Sequence, residues 1–257
     1  MYAWKYVALS PKKNKLSCLL QKCLYDAFNM IFMLTESHVR ESVDNGIITS
    51  SRCMYMKWGE DVDYIDSLPG LPNNDVFTFI STGKAFRDFD TLCKAFNVIK
   101  GARLKIFTNK TWGDINYKEV LDKYKNPNIE IIYSNQIVKG QYKSVLDYLF
   151  AQMKASDCAV IICKDVDFGV GYTAVLDSMV CGLPVIATWN KDNPLDIDKE
   201  GIGDTVPVYD VKSLQKMMQK YVDNNIAKSK GERGKQMILD IYNIRRVAID
   251  VLRIMIE

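Results

Sequence analysis

Short apolar runs alternate with helical patterns along most of the chain. From residue 76 onward, β-branched and aromatic runs predict strands at 76–81, 104–108, 129–133, 159–163, 184–188 and 207–208. The segments between and after these runs predict helices around 92–99, 116–124, 141–153, 173–180 and 211–224. Repeated strand–helix–strand units of this length predict an α/β fold with a doubly wound, Rossmann-like parallel sheet.

The two ends of the chain follow other patterns. The first seventy residues predict a helix, a strand, a helix and a strand at 15–30, 31–34, 36–45 and 53–56. These elements amount to about half of another α/β domain. The tail at 232–257 is helical and has more apolar positions than an isolated surface helix, so we expect it to pack along the body. The chain is therefore predicted to divide into 1–72, 73–226 and 227–257.

Composition and charge narrow the class of protein. Of 257 residues, 48% are apolar and 25% are charged, which excludes a disordered or low-complexity chain. Lys and Arg number 34 against 31 Asp and Glu, and a net charge of +3 does not favour nucleic acid as a partner. No apolar run reaches the ~18–20 residues of a membrane span, and the first residues show no signal-peptide pattern. Seven scattered cysteines without a Cys-x-x-Cys pair predict free thiols in a reducing cytoplasm.

The clearest candidate chemistry lies at 165–188, where a predicted strand is followed by two glycines and a helix. The free backbone N–H groups of Tyr172, Thr173 and Ala174 point out of the helix N-terminus, where the helix dipole also favours a phosphate. Asp177 lies one turn deeper on the same face as Thr173, and a carboxylate there suits the two hydroxyls of a ribose. The pattern predicts a nucleoside-diphosphate pocket. The alternative is an ordinary glycine-rich turn with a surface aspartate.

The two glycines also fit a different class of protein. Gly169 and Gly171, followed by Ala174, match the G-x-G-x-x-A fingerprint of dinucleotide-binding domains, and Asp192 follows near the next strand. A loop separates the predicted strand from the glycines, and the helix is short for a crossover, which speaks against the fingerprint. An NAD-dependent oxidoreductase is therefore kept as an alternative.

A second anion-binding turn is predicted at the end of the run at 76–81. Gly83 follows that run, and Lys84 and Arg87 stand at the opening of the next helix. Arg87 can bind a diphosphate through two parallel hydrogen bonds, and Lys84 can act as a point charge. Both turns fall at the carboxyl edge of a parallel sheet, where ligands bind. The alternative is a pair of solvated charges in a loop.

A family resemblance rests on these same residues. The segment Val175-Leu-Asp177-Ser-Met-Val-Cys-Gly-Leu-Pro-Val-Ile-Ala-Thr188 resembles the signature of GT-B glycosyltransferases, specifically the retaining family 4 type (glycosyl transferases group 1). The resemblance implies that Asp177 binds the donor ribose. It implies a diphosphate role for Gly83, Lys84 and Arg87, with Gly171, Tyr172, Thr173 and Ala174 completing the donor site.

The resemblance also implies a domain plan and an activity. Residues 1–72 would form a partial acceptor-side segment and linker, 73–226 the nucleotide-sugar donor domain, and 227–257 helices that return to the N-terminal segment. The activity would be that of a retaining hexosyltransferase that moves a sugar from a nucleoside-diphosphate sugar to a hydroxyl of a glycan or lipid-linked glycan, as in polysaccharide biosynthesis. No metal and no other cofactor are expected, and no catalytic residue is assigned.

Two departures from the family pattern qualify this expectation. The family has a second Glu where this chain has Gly169, and the segment before the donor domain is short. The family usually has a catalytic histidine, whereas His38, the single histidine, stands at a predicted helix start and is interpreted as a capping or surface residue. A non-catalytic or split nucleotide-sugar-binding subunit, completed by a partner domain, is therefore a further alternative.

The first predicted helix has an apolar stripe beside basic residues. The stripe and its neighbours are Leu16, Leu19, Leu20 and Leu24 with Lys12, Lys13, Lys15 and Lys22. Such a helix fits peripheral contact with the inner face of a membrane, where a lipid-linked acceptor would lie. The alternative is a helix packed on the donor domain with its lysines in water.

Overall fold

The computed structural model describes residues 2–5, 8–72, 74–134, 142–166, 168–224 and 227–256. Its strands are β1 Tyr2–Lys5, β2 Met30–Met33, β3 Cys53–Tyr55, β4 Phe77–Thr82, β5 Ala102–Thr108, β6 Thr111–Trp112, β7 Ile115–Asn116, β8 Ile129–Tyr133, β9 Cys158–Ile161, β10 Val185–Thr188 and β11 Gly203–Val206. Its helices are α1 Lys15–Asp26, α2 Glu36–Asp44, α3 Val62–Ser67, α4 Phe89–Phe96, α5 Tyr117–Leu121, α6 Val145–Lys154, α7 Tyr172–Val180, α8 Ile197–Glu200, α9 Val211–Asp223, α10 Ala227–Asp240 and α11 Ile244–Ile256.

The larger sheet has six strands in the order β11-β10-β9-β4-β5-β8, and every neighbouring pair is parallel. The chain begins this sheet at β4, builds outward to β8, and then crosses back to β9 on the other side. This is the doubly wound order of the Rossmann fold, and the predicted fold class is confirmed. The strand order reverses between β4 and β9, so a ligand crevice is expected at their carboxyl ends.

Both faces of this sheet are covered, as the apolar run at 159–163 predicts. In β9, Ala159 and Ile161 pack in one buried cluster with α7 and α10, whereas Cys158 and Val160 pack in another with α4 and α9. Side chains alternate between the two faces because successive residues of a strand point in opposite directions. Burial on both sides explains why the run is continuously hydrophobic.

The N-terminal elements form a separate sheet of three parallel strands in the order β1-β2-β3. On one face, Ile31 and Met33 of β2 pack in a buried cluster with partly buried residues of α1 and α2, which include Cys18 and Val39. On the other face, Phe32 packs with Val247 of α11. The tail helix thus returns to the N-terminal sheet. The division at residues 73 and 226 remains a prediction, and both of these residues lie outside the described ranges.

The segment between the sheets is bound to the junction of α10 and α11. The amide N–H of Glu60 donates to the carbonyl oxygen of Tyr242 at 2.7 Å, and that of Ile244 donates to the carbonyl oxygen of Glu60 at 2.9 Å. A Cβ on Gly59 would lie 2.8 Å from the Ile244 Cα, so this position has no room for a side chain. The linker therefore runs between α7 and the tail in close backbone contact.

Several element boundaries differ from the sequence-based expectation. The last strand is β11 rather than 207–208, because Pro207 has no N–H to continue the ladder. The helix expected at 141–153 begins at Val145, where the Ser144 hydroxyl accepts from the Asp147 amide, and residue 141 lies outside the described ranges. The helix expected at 15–30 ends at Asp26, since β2 already begins at Met30.

Candidate functional site

The two predicted anion-binding turns meet at the crevice between β4 and β9. The Lys164 amide donates to the Phe86 carbonyl at 2.8 Å, and the Asp88 amide donates to the Ile162 carbonyl at 2.9 Å. These bonds tie the loop after β4 to the loop after β9. The structure therefore brings Gly83, Arg87 and Gly171 together, although 88 positions separate the first glycine from the last.

Arg87 lies at the centre of this junction and is only 4% exposed. Its Nε donates to the Thr82 carbonyl at 2.7 Å, and its Nη1 donates to the Ala85 carbonyl at 2.9 Å and to the Cys163 Sγ at 3.3 Å. Within the described residues, no carboxylate lies within ion-pair distance of the guanidinium. A buried cation without an anionic partner is costly unless a ligand supplies the anion.

Two glycines make room for this guanidinium. Gly83 has a φ of +98°, and a Cβ there would collide with the Arg87 side chain. Gly171 has a φ of +85°, and a Cβ there would lie 3.0 Å from the Ile161 Cγ2 and 3.9 Å from the Arg87 Nη1. Both positions need the left-handed conformation that glycine adopts at little cost. The glycines predicted as phosphate-binding residues thus also seat the arginine.

Helix α7 begins beside Arg87 without a side-chain cap. Its N-cap residue is Gly171, which has no side chain to accept from the first amides. The N–H groups of Tyr172, Thr173 and Ala174 belong to the first turn, where intrahelical partners are missing. An anion at this end would gain from the helix dipole as well as from the arginine.

A cleft of about 310 Å³ opens over these groups and is lined from both sheets. The N-terminal unit contributes Leu34, Thr35 and His38. The larger unit contributes Ala85, Phe86, Trp112, Phe168, Gly169, Val170, Gly171, Tyr172, Thr173, Asp192 and Pro194. The wall of this cleft therefore includes three of the predicted site residues, Gly171, Tyr172 and Thr173.

The remaining predicted site residues lie around this cleft. Lys84 is exposed, and its carbonyl accepts from the Tyr117 hydroxyl at 2.7 Å. Ala174 is buried within α7, and Asp177 is half-buried one turn further along. Five predicted site residues are not among those that line the cleft: Gly83, Lys84, Arg87, Ala174 and Asp177.

Asp177 interacts electrostatically with Glu60, a residue of the segment between the two sheets. Burial raises the pKa of the Asp177 carboxyl to about 7, against the opposing charge of Arg87. Burial and the charge of Asp177 raise the pKa of the Glu60 carboxyl to about 8. Two carboxyl groups in such an environment do not readily ionise together, so the pair retains a proton at neutral pH.

His38 is a site residue that sequence reasoning missed. The N-cap of this helix is Thr35, and the backbone N–H of His38 donates to the Thr35 Oγ1 at 3.0 Å. Its side chain, however, is not at the surface: the residue is 5% exposed and lines the cleft. Burial lowers the pKa of the imidazole, and the charges of Asp192 and Glu41 oppose that shift. Burial thus favours the neutral form of the imidazole.

An aromatic cluster forms another part of the cleft that the sequence did not reveal. The Phe86 ring lies 4.4 Å from the Trp112 ring and 5.2 Å from the Phe168 ring, measured between centroids. Phe86 has a φ of +52°, which is uncommon for a bulky residue. Backbone conformations of this kind cluster at functional sites. Phe86 and Phe168 lie in two different loops and Trp112 lies in β6, so no local sequence pattern connects the three rings.

The dinucleotide alternative has one geometric feature in its favour and one against it. Asp192 does lie at the cleft, and a Cβ on Gly169 would approach its carbonyl oxygen to 2.8 Å. However, residues 162–171 separate the end of β9 from the start of α7. The fingerprint requires its glycines directly after the strand, in a tight turn, and this loop is too long for that turn.

Comparisons with known proteins place the fold. No protein-family profile matches the chain, and no curated protein sequence matches it. Among solved structures, a sucrose-phosphate synthase from Thermosynechococcus elongatus is similar with a TM-score of 0.69 and 16% identity, over 94% of this chain and 61% of its own. Anabaena Alr3699/HepE, solved with UDP and glucose, is similar with a TM-score of 0.69 and 12% identity, over 98% of this chain and 70% of its own. A glycosyltransferase from Rickettsia africae is similar with a TM-score of 0.71 and 13% identity, over 98% of this chain and 69% of its own.

The chain therefore has the GT-B fold of glycosyltransferases, as its sequence resemblance predicts. It spans about six-tenths of the length of the sucrose-phosphate synthase chain that it matches. Over the part of the chain that is described, no cluster of three or more His, Cys, Asp or Glu side chains could hold a metal ion. No helix among the described residues is long and apolar enough to cross a membrane.

Proposed function

We propose that the protein is a glycosyltransferase that uses a nucleoside-diphosphate sugar as its donor. The observation that carries this proposal is the buried guanidinium of Arg87, which has no carboxylate within ion-pair distance among the described residues, beside the uncapped N-terminus of α7. A diphosphate would supply the missing negative charge at both groups. The fold supports the same proposal, since the similar HepE structure holds UDP and glucose.

The proposed roles follow from the order of groups along the crevice. Arg87, Lys84 and the first amides of α7 stabilise the negative charge that develops on the leaving diphosphate, which is preorganised electrostatic catalysis. Asp177 accepts hydrogen bonds from the ribose. The sugar points into the cleft towards His38 and the aromatic cluster. These positive groups neutralise the diphosphate, so the proposed reaction uses no metal or other cofactor.

The proposal extends to the stereochemistry, the acceptor and the place of action. We propose retention at the anomeric carbon and a glycan or lipid-linked acceptor, because the segment ending in Thr188 resembles the retaining family. We also propose cytoplasmic action at the inner face of a membrane. A split arrangement, in which a partner domain completes the acceptor site, is the second candidate.

A thermal-shift panel tests the donor site directly. UDP, GDP, ADP and NAD(H) are added separately, and the melting temperature is measured. We expect at least one nucleoside diphosphate to raise it by several degrees, as mass action requires for a ligand well above its Kd. Stabilisation by NAD(H) alone would favour the oxidoreductase, and no shift with any of the four would reject the nucleotide site.

A second measurement separates a complete enzyme from a binding subunit. The nucleotide-sugar form of whichever nucleotide binds is incubated with the protein, and release of the free nucleoside diphosphate is followed. Slow release without an acceptor indicates that the chain has its own catalytic machinery. Binding without release, even at high protein concentration, indicates the subunit that requires a partner.

A further inference from the structure

Helix α1 directs its apolar side away from the protein. Leu16, Leu19, Leu20 and Leu24 are between 58% and 65% exposed. None of the residues of this fully described helix is buried. The side chains that face the N-terminal sheet are instead the half-buried Cys18 and Tyr25. The leucine face, defined as these four leucines, is therefore not the packing face of the helix, contrary to what an amphipathic surface helix normally shows.

The charges around the leucine face are mainly positive, and the one acidic residue of α1, Asp26, forms an ion pair with Arg52. Lys12, Lys13, Lys15 and Lys22 are all exposed. Between residues 9 and 25 the chain has these four lysines and no acidic residue. On the helix, Lys15 and Lys22 share one flank of the leucine face, since they are seven positions apart. An occupant of this face should therefore be apolar at its centre and negatively charged at its edge.

A second copy of the chain fits these requirements poorly. Pairing two leucine faces would bring two sets of four lysines together, and their like charges would repel. Four leucine side chains also offer much less area than the ~800 Å² per partner of a standard stable interface. An anionic lipid surface meets both requirements, because its acyl region accepts the leucines and its headgroups attract the lysines.

We propose that α1 is an interfacial helix that docks the protein on an anionic membrane surface, with the leucine face among the acyl chains and the lysines at the headgroups. The docked helix lies in the plane of the membrane. This inference rests on the proposed function only for the purpose of the contact, which is access to a lipid-linked acceptor. The contact itself depends on α1 alone and can be measured without any activity.

The test is sedimentation of the protein with vesicles of phosphatidylcholine, with and without phosphatidylglycerol. We expect binding to the anionic vesicles to be stronger by at least about tenfold and to weaken with added salt. A Leu19→Ser, Leu20→Ser variant should lose this binding at least about tenfold. Because both leucines are exposed, this variant should keep the melting temperature of the parent protein.

Two matched controls make the result specific to α1. Ile249→Ser, Leu252→Ser alters comparably exposed apolar residues of α11, on the other face of the N-terminal sheet, and should bind vesicles as the parent does. Lys12→Gln, Lys13→Gln, Lys15→Gln should weaken binding. The same exchange at Lys212, Lys216 and Lys220, which are exposed on α9, should not.

The other outcomes overturn the proposal in distinct ways. Equal loss of binding in the α11 variant would indicate general adhesion of apolar surface. A dimer in sedimentation equilibrium that the Leu19→Ser, Leu20→Ser variant abolishes would assign the leucine face to a second copy. Absence of vesicle binding in a protein that still responds to UDP rejects this inference alone. Vesicle binding in a protein that ignores all nucleotides rejects only the proposed function.

Discussion

Arg87 is the residue on which the donor site depends most. Its guanidinium is buried and held by carbonyl oxygens, yet no carboxylate in the described chain lies within ion-pair distance of it. A ligand diphosphate would therefore gain a charged hydrogen bond worth about 1.5–3 kcal/mol. We expect Arg87→Ala to weaken binding of the preferred nucleoside diphosphate roughly 10–100-fold, as measured by isothermal titration calorimetry.

Arg103→Ala is the matched control for this substitution. Arg103 is an exposed arginine of β5, in the same sheet, and its loss changes the net charge by the same amount. The affinity of the Arg103→Ala variant for the nucleotide should stay within about twofold of the parent value. Equal weakening in both variants would mean that the site responds only to overall charge, and the assignment of Arg87 would be wrong.

The carboxyl groups of Glu60 and Asp177 predict an unusual pH dependence of stability. Their pKa values in the folded protein, about 8 and about 7, lie above the ordinary carboxyl values near ~4. Between the unfolded and the folded pKa values, the folded state therefore holds more protons than the unfolded state. The free energy of unfolding consequently falls as the pH rises through the folded pKa values. We expect the melting temperature to drop by about 5 °C or more from pH 5.5 to pH 8.5.

Glu60→Gln tests which groups are responsible. The variant removes one titrating group and the repulsion that it exerts on Asp177, so the slope of melting temperature against pH should become shallower. Asp63→Asn is the control, because Asp63 is exposed and forms a surface ion pair with Arg245. A slope unchanged in Glu60→Gln would show that the pair does not hold a shared proton.

At the scale of elements, the packing of α10 against the turn that follows α7 depends on one glycine. A Cβ on Gly231 would collide with the Gly182 carbonyl oxygen and lie 3.1 Å from the Pro184 Cδ. These atoms are backbone or ring atoms and cannot rotate away. Gly231→Ala should therefore destabilise the protein by about 1–3 kcal/mol in urea unfolding, despite the better helix propensity of alanine.

Gly234 on the same helix provides the comparison. A Cβ there would meet the flexible side chain of Met179 at 3.2 Å, and this side chain can move. Gly234→Ala should leave stability unchanged or raise it by up to about 1 kcal/mol. If both alanines had the same effect, helix propensity rather than the contact of α10 with the turn after α7 would govern this part of the fold.

Elements with a strong local pattern could be predicted from the sequence. The continuous apolar run around Val160 and the alternating units from residue 76 onward specify parallel strands, and the order of the sheet follows from the doubly wound topology. β1 and α3 were not anticipated, because four and six residues are too few for a clear period. The break between α10 and α11 was also missed, since the apolar pattern continues through Ile241.

In the candidate site, too, the residues with a local sequence pattern differ from those whose place depends on long-range contacts. That Gly83, Arg87 and Gly171 meet at one edge of the sheet could be predicted, because these residue types at the ends of parallel strands have a local meaning; their role in binding stays a prediction. The partnership of Glu60 with Asp177 could not, since it depends on the linker meeting α7. The sequence predicts His38 as a capping or surface residue because only its place at a helix start has a local pattern, whereas its burial depends on how the two sheets approach each other.

At the scale of the whole molecule, the cleft exists only because the two sheets face each other across it. The N-terminal unit supplies His38, and the larger unit supplies Asp192 and the anion-binding turns. Binding of the nucleotide should therefore depend on the larger unit, whereas the chemistry at the sugar should require both. This separation distinguishes a working two-unit enzyme from a donor-binding domain with an inert extension.

His38 makes that separation measurable, because it is the single histidine of the chain and gives one imidazole Hε1 signal in proton NMR. Burial lowers its pKa, so the signal should titrate below the ordinary value of ~6.5. Asp192→Asn removes a charge that opposes this shift, and the pKa should then fall further. A nucleotide sugar that enters the cleft should move the signal.

The kinetic counterpart is His38→Gln, which keeps a polar side chain at the same place. We expect this variant to bind the nucleoside diphosphate within about twofold of the parent and to release it from the nucleotide sugar at least about 100-fold more slowly. Affinity and turnover that fall together would place His38 in the structure of the donor site. An imidazole signal that ignores the donor, with turnover intact, would mean that the sugar does not occupy the cleft between the sheets.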